Sequence, residues 1–293
     1  MNAPSSFCDP HLSSSGNGKN LIVGSAMWVY PSFHLLPLFQ DLYILLTAFG
    51  VPPQFCPNER SYCGGVAVSD NGIAIGIAAV NNNFNPIQPS YEVYFSTDQG
   101  RQWEISPAQP GRLTYSAVAI SSDGNIWLAA GDQGIFKSTD FGLQWKKVSS
   151  QSGLVSISCN FDCSTLYAAD GVSLYKSTDG GLSLNVLQSL SNAAAVFTSR
   201  DTTCVVAVNS TIFTIQFFSF LFRTHANVFL STDSGVTFTT ISGFELHSGN
   251  LGYDKAPAPW PSKVISISGT ANCRRLFVTG RNGDLWESYP LVF

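Results

Sequence analysis

The sequence predicts an all-β chain folded as a single β-propeller of four-stranded blades, with five to six recognisable units. Three observations carry this. An eight-residue turn pattern, S-T-D-x-G-x-x-(W/F/L), occurs four times, beginning at Ser96, Ser138, Ser177 and Ser231. The copies are offset by 42, 39 and 54 residues, and a period near forty is that of a propeller blade. Each copy is preceded by three short apolar runs separated by polar turns, the strand count that such a blade needs.

The turn pattern explains itself physically. Asp98, Asp140, Asp179 and Asp233 are placed to accept hydrogen bonds from backbone a few residues on. Gly100, Gly142, Gly181 and Gly235 supply a positive φ. Trp103, Trp145 and Phe238 close over the hairpin, while Leu184 replaces the aromatic in the third copy. The innermost strands are short and small or β-branched, as at Ala117–Ser121, Val155–Ser158 and Val264–Ser268. A polar turn follows (Asp70-Asn71-Gly72, Ser122-Asp123-Gly124, Arg200-Asp201), then a second strand such as Ile126–Ala130 or Leu166–Ala169. The third strand carries an aromatic just before the turn pattern, as Phe95, Phe136, Tyr175 and Phe229 do.

The fifth unit breaks off. Gly283–Ser288 matches a third strand, but Tyr289-Pro290 stands where the pattern should continue, so the outer strand must come from elsewhere, usually the N-terminus. Residues 13–24 look like the turn and second strand of a sixth unit. Residues 1–57 are otherwise irregular, 58–293 form the propeller, and segments 26–57 and 211–226 fit no blade pattern. Removing the second would restore the usual spacing.

Totals exclude several function classes. Charged residues make up 12% of the 293 and the net charge is −4, which indicates no nucleic-acid surface. Seven cysteines without CxxC spacing and four histidines indicate no metal site. Cys159, Cys163, Cys204 and Cys273 read as small core residues, and Cys8, Cys56 and Cys63 leave room for one disulfide. No basic, apolar leader opens the chain. No run is long and unbroken enough to span a membrane. No cofactor is expected. Asn209-Ser210-Thr211 is a glycosylation sequon.

The repeated turn, as it stands at Ser96–Trp103 and its copies, resembles the Asp-box or bacterial neuraminidase repeat of sialidases, sortilin-type receptors, xyloglucan hydrolases and a photosystem II assembly propeller. The resemblance implies a folding device, Ser96, Ser138, Ser177 and Ser231 included, that lies away from the ligand face. It also makes a secretory or extracellular setting plausible, with a glycan or protein partner and a monomeric chain. Ligands in such propellers bind on the opposite rim, where loops 80–90, 211–226 and 243–262 fall.

On that rim the sequence offers Glu245 and Asp254 as a carboxylate pair, the minimum for glycoside hydrolysis. Arg112, His247, Tyr253, Trp260 and Arg281 are offered as ligand contacts. Arg112, Arg223 and Arg281 together suggest the arginine cluster of sialidases, but the family's Arg-Ile-Pro motif is missing. With no acid recognisable across the axis, the expectation is a non-catalytic scaffold binding a glycan or a protein. The alternatives are a sialidase-like or other glycoside hydrolase with a diverged site, and a photosystem-assembly-type binding propeller.

Overall fold

A computed structural model describes residues 11–14, 20–24, 43–44, 62–81, 90–100, 102–106, 115–211, 225–241, 244–248, 264–280 and 285–288. The protein is an all-β propeller of antiparallel sheets. Sheet 1 pairs His11–Ser14 with Asn20–Gly24, and Tyr43–Ile44 adds to it in parallel. Sheet 2 comprises Tyr62–Val68, Ile75–Asn81, Ser90–Ser96 and Glu104–Ile105. Sheet 3 runs Tyr115–Ile120, Trp127–Gly131, Gly134–Ser138 and Lys146–Ser149. Sheet 4 runs Ser156–Cys159, Leu166–Ala169, Ser173–Ser177 and Asn185–Ser191. Sheet 5 runs Ala193–Thr198, Val205–Thr211, His225–Ser231 and Thr239–Ile241. In sheet 6, Val264–Gly269, Leu276–Gly280 and Leu285–Ser288 are completed by Phe244–Ser248.

Sheet 6 corrects one expectation. Its missing outer strand is Phe244–Ser248, which follows directly on the last strand of sheet 5 and pairs antiparallel with Leu285–Ser288. The N-terminal strand His11–Ser14 has a different job. It lies innermost in its sheet, beside Tyr62–Val68 on one side and Val264–Gly269 on the other. Ser14 binds across to sheet 6, its N–H to Ser268 Oγ at 2.9 Å and its hydroxyl to the Gly269 carbonyl at 2.7 Å.

Packing follows from the two-residue period of a strand buried on both faces. In Trp127–Ala130 every side chain is fully buried. Trp127, Ala129 and Phe136 face sheet 2, against Ala67, Val93 and Phe95. Leu128, Ala130 and Ile135 face sheet 4, against Ile157 and Leu166. Trp127 meets Phe95 edge to face at 6.1 Å, and Gly76 makes room for it, since a Cβ there would stand 2.5 Å from the indole ring. Burying an indole of this size is worth about 2–3 kcal/mol.

The innermost strands present one edge to the axis, where no further strand among the described residues pairs with them. Serine hydroxyls of the preceding sheet take over part of that pairing. Ser156 and Ser158 accept from the N–H groups of Val196 and Thr198, each at 3.1 Å.

The cysteines depart from the sequence reading. Cys159 bonds Cys163 within one turn, and Cys204 bonds Cys273 between sheets 5 and 6. The polar turns bring these positions together, a proximity that strand patterning does not reveal.

Candidate active site

Strand registers define two rims. Ile120, Trp127 and Ser138 align across sheet 3, so the turn after its first strand and the S-T-D hairpin share one rim. Gly131 and Gly134 pair at the other end, which puts Asp132 on the opposite rim.

On the hairpin rim all four copies form the same bonds. Ser138 Oγ donates to Asp140 at 2.7 Å and accepts from the Gly142 N–H at 2.9 Å. Asp140 then accepts from the Gln144 N–H at 2.8 Å. Ser96, Ser177 and Ser231 repeat this with Gly100, Gly181 and Gly235. The indoles of Trp103 and Trp145 each donate to their glycine carbonyl at 3.0 Å. Leu184 packs instead into the core beside sheet 4, and its hairpin keeps the same bonds.

These bonds hold the carboxyls ionised. The Gln144 N–H and the Ser138 hydroxyl lower the Asp140 pKa. The hydroxyl and N–H of Thr237, then the Ser231 hydroxyl, bring Asp233 down to about 2. Such groups are turn pins with their protons already lost.

A second recurring turn closes the axis at this rim. In Ser69–Ala74, Ser121–Ile126, Ser199–Cys204 and Thr270–Arg275, the first hydroxyl bonds the side chain two residues on and accepts the N–H five residues on. The second residues of these turns, with Phe161 of the matching turn Asn160–Thr165 in sheet 4, form a belt from sheet to sheet. Asp70 N–H reaches the Ser122 carbonyl, Ser122 that of Phe161, Phe161 that of Arg200, and Arg200 that of Ala271, all within 2.8–3.1 Å. The Arg200 guanidinium crosses from sheet 5 to Asp70 in sheet 2, at 2.9 Å, and also donates to the carbonyls of Ile120 and Cys159. Behind this strut lies an axial cavity of about 80 Å³, walled by the innermost strands of all six sheets and floored in part by Arg200.

The opposite rim carries the remaining described chemistry. Asp170 ends the second strand of sheet 4. It accepts from the N–H groups of Val172 and Ser173 at 2.8 and 2.6 Å, and from the Tyr175 hydroxyl at 2.7 Å. Gln151, from the crossing out of sheet 3, donates to the Tyr175 oxygen at 3.3 Å. Partial burial alone would raise the Asp170 pKa, but the bonds from Ser173, Tyr175 and Val172 outweigh it and the pKa is lowered. Tyr175 moves up, through its bond to Asp170 and then through burial. Asp132 stands exposed at the equivalent turn of sheet 3. The arrangement is an ionised carboxylate fixed in the turn between the second and third strands of sheet 4.

The sequence candidates fall unevenly. Arg112, Arg223, Tyr253, Asp254, Trp260 and Arg281 lie outside the described residues. Glu245 and His247 lie in Phe244–Ser248, the strand of sheet 6 farthest from the axis. Asn209 of the sequon is buried within Val205–Thr211. Asp170, Tyr175 and Gln151 were missed by the sequence reading, and their only local signal is an Asp-Gly step after a buried strand. Among the described residues no group of His, Cys, Asp and Glu is placed to hold a metal ion, and no helix is long and apolar enough to cross a membrane.

No family model matches the chain. A probable oligoxyloglucan-reducing end-specific xyloglucanase of Neosartorya fischeri is 36% identical over 62 residues, which are 19% of this chain and 7% of that one. Among solved structures, the GH74 enzyme of Niastella koreensis matches with a TM-score of 0.52 and 17% identity, covering 96% of this chain and 53% of that one. The GH74 xyloglucanase of Xanthomonas campestris gives 0.56 and 12%, covering 98% and 54%. The hydrazine synthase of Kuenenia stuttgartiensis gives 0.57 and 13%, covering 100% and 99%. The chain thus spans about half the length of the two GH74 structures and a small part of the sequence relative.

At these identities the structural likenesses carry the fold. The likeness in sequence overturns the expectation of a non-catalytic scaffold. The relative that matches in sequence is a probable xyloglucanase.

Proposed function

We propose that this chain is the propeller of a glycoside hydrolase acting on a β-glucan of the xyloglucan type. The observation that supports the reading is the 36% identity, over 62 residues, to a probable xyloglucanase, on a chain whose fold is shared with GH74 propellers. In this reading the six sheets are six blades of one ring, and the S-T-D hairpins are Asp boxes that serve folding.

Hydrolysis then belongs on the opposite rim. Asp170, held ionised by its three donors, is the base or nucleophile, and the Tyr175 hydroxyl positions it. The acid must be a second carboxyl facing it across the sugar. Asp254 is assigned that part from the sequence, with Arg112, Tyr253, Trp260 and Arg281 as sugar contacts. Glu245 and His247 stand lower in this assignment because their strand is outermost in its sheet.

The test is release of reducing ends from xyloglucan oligosaccharides by the purified protein, with sialosides as the control substrate. Turnover of the glucan alone is expected, reduced at least 100-fold in Asp170→Asn by the usual cost of losing a catalytic carboxylate. A folded protein that cleaves no β-glucan would overturn the proposal.

A further inference from the structure

We propose that the hairpin rim carries a second glycan-binding surface, built on Phe141 and Phe161, that holds a β-glucan chain without cleaving it. The class of glycan rests on the function proposed above; the surface itself does not require hydrolysis.

Phe141 occupies the x position of the second S-T-D-x-G hairpin, where φ is +59°. The same position holds Gln99, Gly180 and Ser234 in the other copies, all with positive φ. Glycine fits there freely, and a bulky ring does not favour that backbone conformation. The ring is also left partly in solvent. Phe141 is 39% exposed and Phe161 58%, and neither stacks on another aromatic among the described residues. An aromatic kept at a conformational cost, on the surface, points to use of its face.

The two rings stand on adjacent sheets, joined through one turn. Phe141 N–H bonds the Asn125 carbonyl at 3.2 Å, and Ser122 N–H bonds the Phe161 carbonyl at 2.8 Å. Asn125 and Ser122 belong to the same turn, Ser121–Ile126, so that turn joins the backbones of the two phenylalanines. The turns that carry and join them also hold the carboxylates of Asp123, Asp140 and Asp162, each accepting from its own turn.

This chemistry selects among ligands. Three carboxylates repel phosphate, sulfate and sialyl groups. A wholly apolar partner would strip water from those carboxylates with nothing to replace it. A neutral sugar chain satisfies both features, its C–H faces lying on the rings and its hydroxyls donating to the carboxylates.

The experiment is native affinity electrophoresis of the full chain through gels containing polymeric xyloglucan, with Phe141→Gly, Phe161→Ser and the double variant alongside. Both side chains are exposed, and a cooperative melt no lower than that of the wild type confirms folding. The wild type should be retarded. The double variant should bind roughly tenfold more weakly, as loss of two stacked rings implies, while cleavage of short oligosaccharides stays at the wild-type rate. Retardation without any hydrolysis supports this surface and sinks the hydrolase reading. Unchanged retardation in the folded double variant, or no retardation of the wild type, overturns the surface. So does concentration-dependent self-association that the variants abolish, which would make the rim a contact between copies.

Discussion

Replacing Ser138 with alanine should destabilise the propeller more than replacing Asp140, although the aspartate is the more visible half of the repeat. Ser138 is 1% exposed, and its hydroxyl is the acceptor for the buried N–H of Gly142 at 2.9 Å. Alanine leaves that N–H without a partner where water does not reach, a loss of about 1–3 kcal/mol. Asp140 serves the Gln144 N–H at an exposed position, so in Asp140→Ala water takes over and the loss is about 0.5–1.5 kcal/mol. For a chain of 293 residues the unfolding entropy is about 0.6 kcal/mol per kelvin, so 2 kcal/mol shifts Tm by about 3 °C. Differential scanning calorimetry on Ser138→Ala, Asp140→Ala and the double variant measures this. The double should cost less than the sum, because the two groups bond each other. If Asp140→Ala proves the costlier, the hairpin is held by its carboxylate rather than by its hydroxyl.

Acid should weaken the fold through the same hairpins. The folded pKa values of Asp140 and Asp233 lie below their unfolded values, Asp233 at about 2, so their contribution is full above about pH 4. It fades as pH falls towards 2, and a Tm that stays flat from pH 5 to pH 2 would contradict this. Cys204 and Cys273 close a loop across 69 residues. In the chain-entropy account this is worth about 4 kcal/mol, so the double alanine variant should melt about 6–7 °C lower; a shift below 2 °C would show that the bond constrains little. Phe141→Gly should raise stability by about 1 kcal/mol by relieving the positive φ, and a fall in Tm would mean that the ring packs usefully in place.

What could be read beforehand was local. Eight consecutive residues specify each hairpin, and their spacing reports the sheet period, so Ser96, Ser138, Ser177 and Ser231 marked the architecture without any knowledge of pairing. Phe244–Ser248 was missed for the opposite reason. Its alternation fits a strand, yet its partner Leu285–Ser288 lies some forty residues on, and nothing near either names the other. Arg200 was equally silent. It occupies a turn position that Asp70, Ser122, Phe161 and Ala271 hold elsewhere, where only the backbone is fixed by the repeat. Its reach to Asp70 exists only once the ring brings sheets 5 and 2 to facing sides of the axis. The disulfides follow the same rule, since Cys204 and Cys273 meet through adjacent turns of different sheets.

The division of carboxylates between the rims bears on where the hydrolysis proposed above would occur. Glycoside cleavage needs one carboxyl that keeps its proton at working pH and one that has lost it. A carboxylate that accepts from its own turn is stabilised in the charged form, so Asp123, Asp140, Asp162, Asp179 and Asp233 are poor proton donors. Their number on one rim therefore argues against that rim as the catalytic one. Asp170 is ionised by the same kind of bonding and can fill only the second part. In the hydrolase reading proposed above, its partner acid would need drier or less donor-rich surroundings than these turns provide. A Michaelis complex should show that carboxyl on the far side of the glycosidic bond from Asp170. Replacing it with the amide should abolish cleavage of glucans with poor leaving groups and spare those with activated ones, which need no protonation to depart. Equal loss with both substrates would show that the residue is not the acid.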